Sequence, residues 1–171
     1  MAEFNGFNSN PTQISSTSPE GEKMFLDGVF AFLCNRPAEA FISFFPLVKK
    51  DAAATFNCAL CLYTAGDYEQ ALEYVKSSEV LFHIPNNSGA KKSVPPSLLK
   101  YEAQGSGYLS PMCKDAPDTI PELAMMQILR VKADLLYALG QTEELKKVLP
   151  LFKDDYENIK RIKNEIQKET W

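Results

Sequence analysis

The densest chemistry in the chain is Cys58-Ala59-Leu60-Cys61, two thiols three residues apart. On a helix that spacing sets both sulfurs on one side, and two thiolates are half of a structural zinc site, which needs four ligands. Cys34, Cys113 and His83, the single imidazole, are what the sequence offers for the other half. The apolar company of Cys58 and Cys61 points instead to small buried hydrophobes, and a redox role lacks the strand-helix context it requires. A Cys-His nucleophile would have to recruit His83, beside which the sequence places no cysteine. The acids Glu143-Glu144 and Asp154-Asp155 read as exposed charge and as first-turn acids favoured by the helix dipole. Gly105-Ser106-Gly107 lacks the third glycine and the preceding strand of a phosphate cradle. No residue set argues for an enzyme, a bound metal or a cofactor.

These residues belong to a chain of 171, with 18 Lys and Arg against 22 Asp and Glu and a formal charge of −4. That balance lacks the positive excess that holds a nucleic-acid backbone non-specifically. No apolar run reaches the ~20 residues of a membrane span. Four cysteines without a disulfide-like framework are expected to be reduced thiols, which predicts an intracellular, cytoplasmic address. Residues 1–20, rich in Asn, Ser and Thr, have neither the basic start nor the apolar stretch of a secretory signal, and their composition predicts a flexible leader. Residues 21–171 are expected to form one helical domain.

From Glu22 onward apolar residues recur at three- and four-residue steps, and no segment keeps the two-residue alternation of a half-buried strand, so the chain is expected to be all-α. Breakers at Asn35-Arg36-Pro37, Lys49-Lys50-Asp51, Gly66-Asp67 and Gly140-Gln141-Thr142 separate the periodic stretches. One ladder of offsets recurs. Gly28 is followed at three, seven, twelve, sixteen and nineteen residues by Ala31, Asn35, Ala40, Phe44 and Leu47; Ala59 by Leu62, Gly66, Ala71, Val75 and Ser78; Ala133 by Leu136, Gly140, Leu145, Leu149 and Phe152. The ladder describes a helical hairpin: a small residue admits the second helix, a turn residue follows two turns later, and the second helix returns its own small or apolar stripe.

The segment Asn57 to Leu81, with Ala59, Leu62, Gly66-Asp67-Tyr68, Ala71 and Tyr74-Val75, resembles a tetratricopeptide repeat, and Met24 to Leu47 and Leu129 to Phe152 are looser versions of it. The first two small-residue positions lie 31 residues apart and the next two 74, against a family period of 34, which implies an insertion at about 84–121. The resemblance implies an α-solenoid of hairpins wound as a right-handed superhelix, with a concave groove for peptides or helices of other proteins. Within the insertion Ser97 to Gln104 is expected to form a short helix. Asp154 to Lys168, with Tyr156, Ile159, Ile162 and Ile166 against a mixed-charge face, is expected to be an amphipathic capping helix, since the last hairpin of a solenoid has no neighbour.

One residue past each packing position, ~100° around the first helix of each hairpin, stand Phe25, Val29 and Phe32, then Phe56, Leu60 and Tyr63, then Arg130, Asp134 and Tyr137. By resemblance these face the groove. The aromatic set suits an apolar peptide, with Arg130 and Asp134 giving polar register at one end. The Lys, Asn and Arg of the family's carboxylate clamp are not assembled at these positions. In size, acidity and groove character the chain is similar to the chaperones of type III secretion translocators, although the long insertion departs from them. The leading expectation is therefore a non-enzymatic module that holds an apolar segment of a partner protein. The alternative is a subunit that self-associates, for instance as a homodimer, through the same patch. A third arrangement leaves these rings covered by the insertion, the leader or the last helix, because large open apolar patches are rare on monomers.

Overall fold

A computed structural model describes residues 17–82, 94–152 and 156–169. Every regular element among them is helical: α1 Pro19–Leu33, α2 Pro37–Phe44, α3 Ala52–Ala65, α4 Tyr68–Leu81, α5 Pro96–Ala103, α6 Ala116–Thr119, α7 Pro121–Ala138, α8 Thr142–Val148 and α9 Glu157–Glu169, with single 3-10 turns at Phe45–Leu47, Gly107–Leu109 and Leu149–Leu151. Starts are set by capping chemistry. Ser18, Asp51 and Asp67 accept hydrogen bonds from the third residue on, at 3.0, 2.9 and 3.2 Å, and Pro19 and Pro37 occupy first-turn positions where no amide is needed. Because Ser18 is a cap, α1 begins two residues inside the expected leader; residues 1–16 and His83 lie outside the described residues.

The three ladder segments are three hairpins closed by one turn. Asn35, Gly66 and Gly140 have φ of 58°, 82° and 66°, the left-handed conformation that ends a helix. Behind each, the next amide reaches back to the carbonyl five residues earlier: Arg36 to Ala31 at 2.9 Å, Asp67 to Leu62 at 3.0 Å and Gln141 to Leu136 at 2.9 Å. This is the Schellman pairing, and it orients the returning helix alike in all three. Inside the first hairpin, a Cβ added at Gly28 would sit 2.7 Å from the Phe44 ring, so the ladder's small residue is the floor under that ring. Ser78 is small for another reason: its buried hydroxyl donates to the Ala52 carbonyl at 2.8 Å, tying α4 to the start of α3.

Hairpins pack in chain order: α1 on α2, α2 on α3, α3 on α4, α4 on α7, α7 on α8. The long stretch between α4 and α7 does not separate the second hairpin from the third. Lys132 on α7 bonds Glu79 on α4 at 2.7 Å, and Glu144 on α8 lies 3.0 Å from Lys76 on α4 and 3.7 Å from Lys132. The described part of the stretch from Gly107 onward is instead folded against the hairpins, with the Gly107–Leu109 turn and α6 against α7, and α6 also touching α3. Helix α5 falls within one residue of its expected span at each end. Helix α9 packs on α7 through an apolar face that buries Ile159 and Ile162.

Candidate functional site

Of the three helices expected to line a groove, α1, α3 and α7, the last two are buried on every side over half or more of their length. Nine consecutive residues, Ala53 to Cys61, are buried in α3, and nine more, Ile128 to Leu136, in α7. A helix flanked by its hairpin partner and one neighbouring hairpin keeps an open side, so something else covers this one. The cover is the chain's own segment 102–112 together with the start of α9.

The segment is held through its main chain. The Asn57 amide, in the middle of α3, donates from Nδ2 to the Met112 carbonyl at 3.0 Å and accepts from the Met112 N–H at 2.7 Å. From α7, Gln127 Nε2 donates to the carbonyls of Tyr108 at 3.1 Å and Ser110 at 2.7 Å. One turn further along α7, Arg130 Nη1 and Nη2 donate to the carbonyls of Glu102 at 2.8 Å and Gly105 at 3.2 Å. Glu157, in the first turn of α9, accepts from the Gly105 N–H at 2.8 Å. Such bonds satisfy main-chain groups whatever side chains the segment carries, which is how a groove holds an extended peptide. Asn57 is itself fully buried; its paired bond removes the cost that an unpaired buried amide would carry.

Side chains supply the specific part. The Tyr108 hydroxyl bonds the buried Asp134 carboxylate, and its ring lies under the Arg130 guanidinium, 4.0 Å from the ring centroid, with Tyr156 on the same cation at 4.8 Å. Asn158 completes the cluster, accepting from Arg130 Nε at 2.9 Å and donating to Asp134 at 3.2 Å; Arg161 approaches Asp134 at 3.5 Å. Burial, then the hydrogen bond to Asp134, push the Tyr108 phenol upward, so it remains a neutral donor. Burial pulls Arg130 below its usual value, while Tyr108, Tyr156 and Asp134 oppose that. Beside the segment opens a cleft of about 380 Å³ whose walls include Met112, Leu123, Gln127, Arg130 and Tyr156.

The residues expected to meet a ligand are therefore distributed differently. Phe25, Phe56 and Leu60 are core, a correction to their expected open position. Phe25 and Phe56 stand three residues before Gly28 and Ala59 and so share their packing face, and Phe25 meets the Phe44 ring edge-on at 5.4 Å. Leu60 belongs to the all-round buried stretch of α3. Arg130 and Asp134 bond the chain's own segment, at Glu102, Gly105 and Tyr108. Val29, Phe32, Tyr63 and Tyr137 are half-buried against the core, and burial followed by the Asp134 charge raises the Tyr63 phenol. Asn57 and Gln127 were not anticipated; the available signal was a lone amide inside the apolar run Ala52-Ala-Ala-Thr-Phe-Asn-Cys-Ala-Leu-Cys61. In the CxxC, burial pushes Cys58 up, with Cys61 adding to it, and pushes Cys61 up to about 12, so both are protonated at neutral pH, whereas Cys34 and Cys113 are exposed.

No family model, curated protein or solved structure matches this chain.

Proposed function

We propose that the protein is a non-enzymatic interaction module of tetratricopeptide type, a right-handed solenoid whose groove binds an extended, partly apolar segment of a partner, and that segment 102–112 holds that groove in cis. The observation that carries this reading is the main-chain contact made by Asn57, Gln127 and Arg130, three polar side chains from two helices that bond the backbone of one largely irregular segment. The same groups would bond any chain of similar backbone path. The partner's segment is expected to place an aromatic hydroxyl where Tyr108 meets Asp134 and an apolar side chain near Met112. The cleft beside the segment has a volume ordinary for ligand sites. Since the cis segment is present at high effective concentration, a partner gains access when that segment is loosened.

The test uses the full chain with Tyr108→Ala and Met112→Ala, which weaken the cis segment's side-chain hold, and a labelled synthetic peptide of residues 102–113. Fluorescence anisotropy is expected to give saturable binding to the double variant and at least tenfold weaker binding to the parent. Gln127→Ala added to the double variant should weaken the peptide further. A double variant that keeps its helical circular dichroism yet binds no peptide would mean that the segment is ordinary packing and not an occupied site.

A further inference from the structure

Arg130 serves two elements at once. Its Nη1 and Nη2 donate to the carbonyls of Glu102 and Gly105 in the covering segment, while its Nε donates to the Asn158 side chain at 2.9 Å. Tyr108 of the segment and Tyr156, at the head of α9, both lie against the same guanidinium, at 4.0 and 4.8 Å. Asp134 repeats the arrangement one turn along α7. Its carboxylate accepts from the Tyr108 hydroxyl on the segment side and from Asn158 Nδ2 at 3.2 Å on the α9 side, with Arg161 at 3.5 Å. Glu157 bonds the Gly105 N–H directly at 2.8 Å. Both charged α7 side chains that grip Glu102 to Tyr108 are therefore themselves gripped by α9. The other end of the segment is held without it, since Asn57 bonds Met112 and Gln127 bonds Ser110.

The hold of α9 on α7 is concentrated in the same place. Tyr156, Asn158, Ile159 and Ile162 are buried, and none of the described side chains after Ile162 is. A buried guanidinium or carboxylate that loses a partner must take up water to recover the lost interaction. Withdrawal of these first turns therefore opens Arg130 and Asp134 to solvent and weakens what each of them bonds on the segment side. We propose that α9 is the latch of segment 102–112: release of its first two turns frees the Glu102 to Tyr108 end, while the Ser110 to Met112 end stays on Gln127 and Asn57. The purpose of that release rests on the groove reading, in which a partner's segment then enters from the Glu102 end; the coupling itself does not.

Amide exchange of the full chain, followed residue by residue, tests this. Asn158→Ala leaves Glu157 in place, yet it is expected to speed exchange of the Gly105 N–H by about fivefold or more, the low end for coupled sites, with Met112 and the middle of α7 changed by less than about twofold. Coupling is reciprocal, so Tyr108→Ala should speed exchange of the Lys160 N–H, bonded to the Tyr156 carbonyl at 2.9 Å, by a similar factor. This second variant decides if Asn158→Ala does not fold. An unchanged Gly105 in the first variant, or an unchanged Lys160 in the second, overturns the inference. So does equal acceleration at Gly105, Met112 and the middle of α7, which would make α9 part of the global unfolding unit. Peptide binding to the Tyr108→Ala, Met112→Ala variant is a separate measurement: its failure removes the groove reading and leaves the latch, whereas unchanged exchange removes the latch and leaves the groove.

Discussion

Gly28 condenses the residue-scale logic of the first hairpin. A helix interior prefers alanine to glycine by about 1 kcal/mol, yet here the missing Cβ is occupied by the ring of Phe44, itself fully buried and braced by Phe25. Steric cost therefore outweighs helix propensity. Gly28→Ala is expected to lower stability by about 1–2 kcal/mol, the low end of overpacking, and adding Phe44→Leu should recover part of it. A chemical melt of the two variants decides: a single variant as stable as the parent would show that α1 and α2 separate freely at this point. The opposite economy operates at Asn57 and Arg130, which are polar where apolar residues would pack, and which are tolerated because every donor direction used meets a carbonyl or an amide oxygen.

Between elements, charge joins what the insertion could have parted. Helices α4, α7 and α8 share the cluster Lys76, Glu79, Lys132 and Glu144. The Glu144 carboxyl is held below its usual range by the hydrogen bond from Lys76, against a smaller opposing effect of burial, with the charges of Lys76 and Lys132 adding. A carboxyl depressed in the folded state binds fewer protons there than in the unfolded chain. Its stabilisation is present above the ordinary glutamate pKa and lost as pH falls through the lower folded value. Glu144→Gln should accordingly be less stable than the parent at pH 7, by under about 1 kcal/mol because solvent screens a carboxylate this exposed, and the gap should close between about pH 5 and pH 3. Melting curves across that range check it; a gap independent of pH would assign the effect to packing. The elements themselves were legible beforehand. The left-handed turns fall at Asn35, Gly66 and Gly140, where the ladder put its turn residues, and Pro96–Ala103 is the expected insertion helix, because caps, breakers and helical period are local properties.

For the molecule as a whole, the consequence of covering α3 and α7 with the chain's own segment is a graded stability. Segment 102–112 is tied to the hairpins by separate side-chain bonds from Asn57, Gln127 and Arg130 and not by a continuous helical ladder, so it is expected to open without global unfolding. Amide exchange at Met112, whose N–H is bonded to Asn57, should be slower than in exposed turns and faster than in the middle of α3 and α7, and Asn57→Ala should accelerate it. Exchange at Met112 as slow as in α7 would weld the segment to the global unfolding unit and leave no route for a partner.

Local pattern settled that this chain is helical, that three hairpins repeat along it, and where each hairpin turns; each of these follows from residues within ~20 positions of one another, whose spacing alone dictates which side chains share a face. It also made Phe56 and Leu60 look like a ligand surface, since a helical wheel records a face but not what lies over it. Tertiary structure decided that. The bonds that hold the cover over α3 and α7 join Asn57 to Met112 across 55 residues and Arg130 to Glu102 across 28, and they end on main-chain carbonyls, which are the same in every residue and so leave no mark in the pattern of side chains.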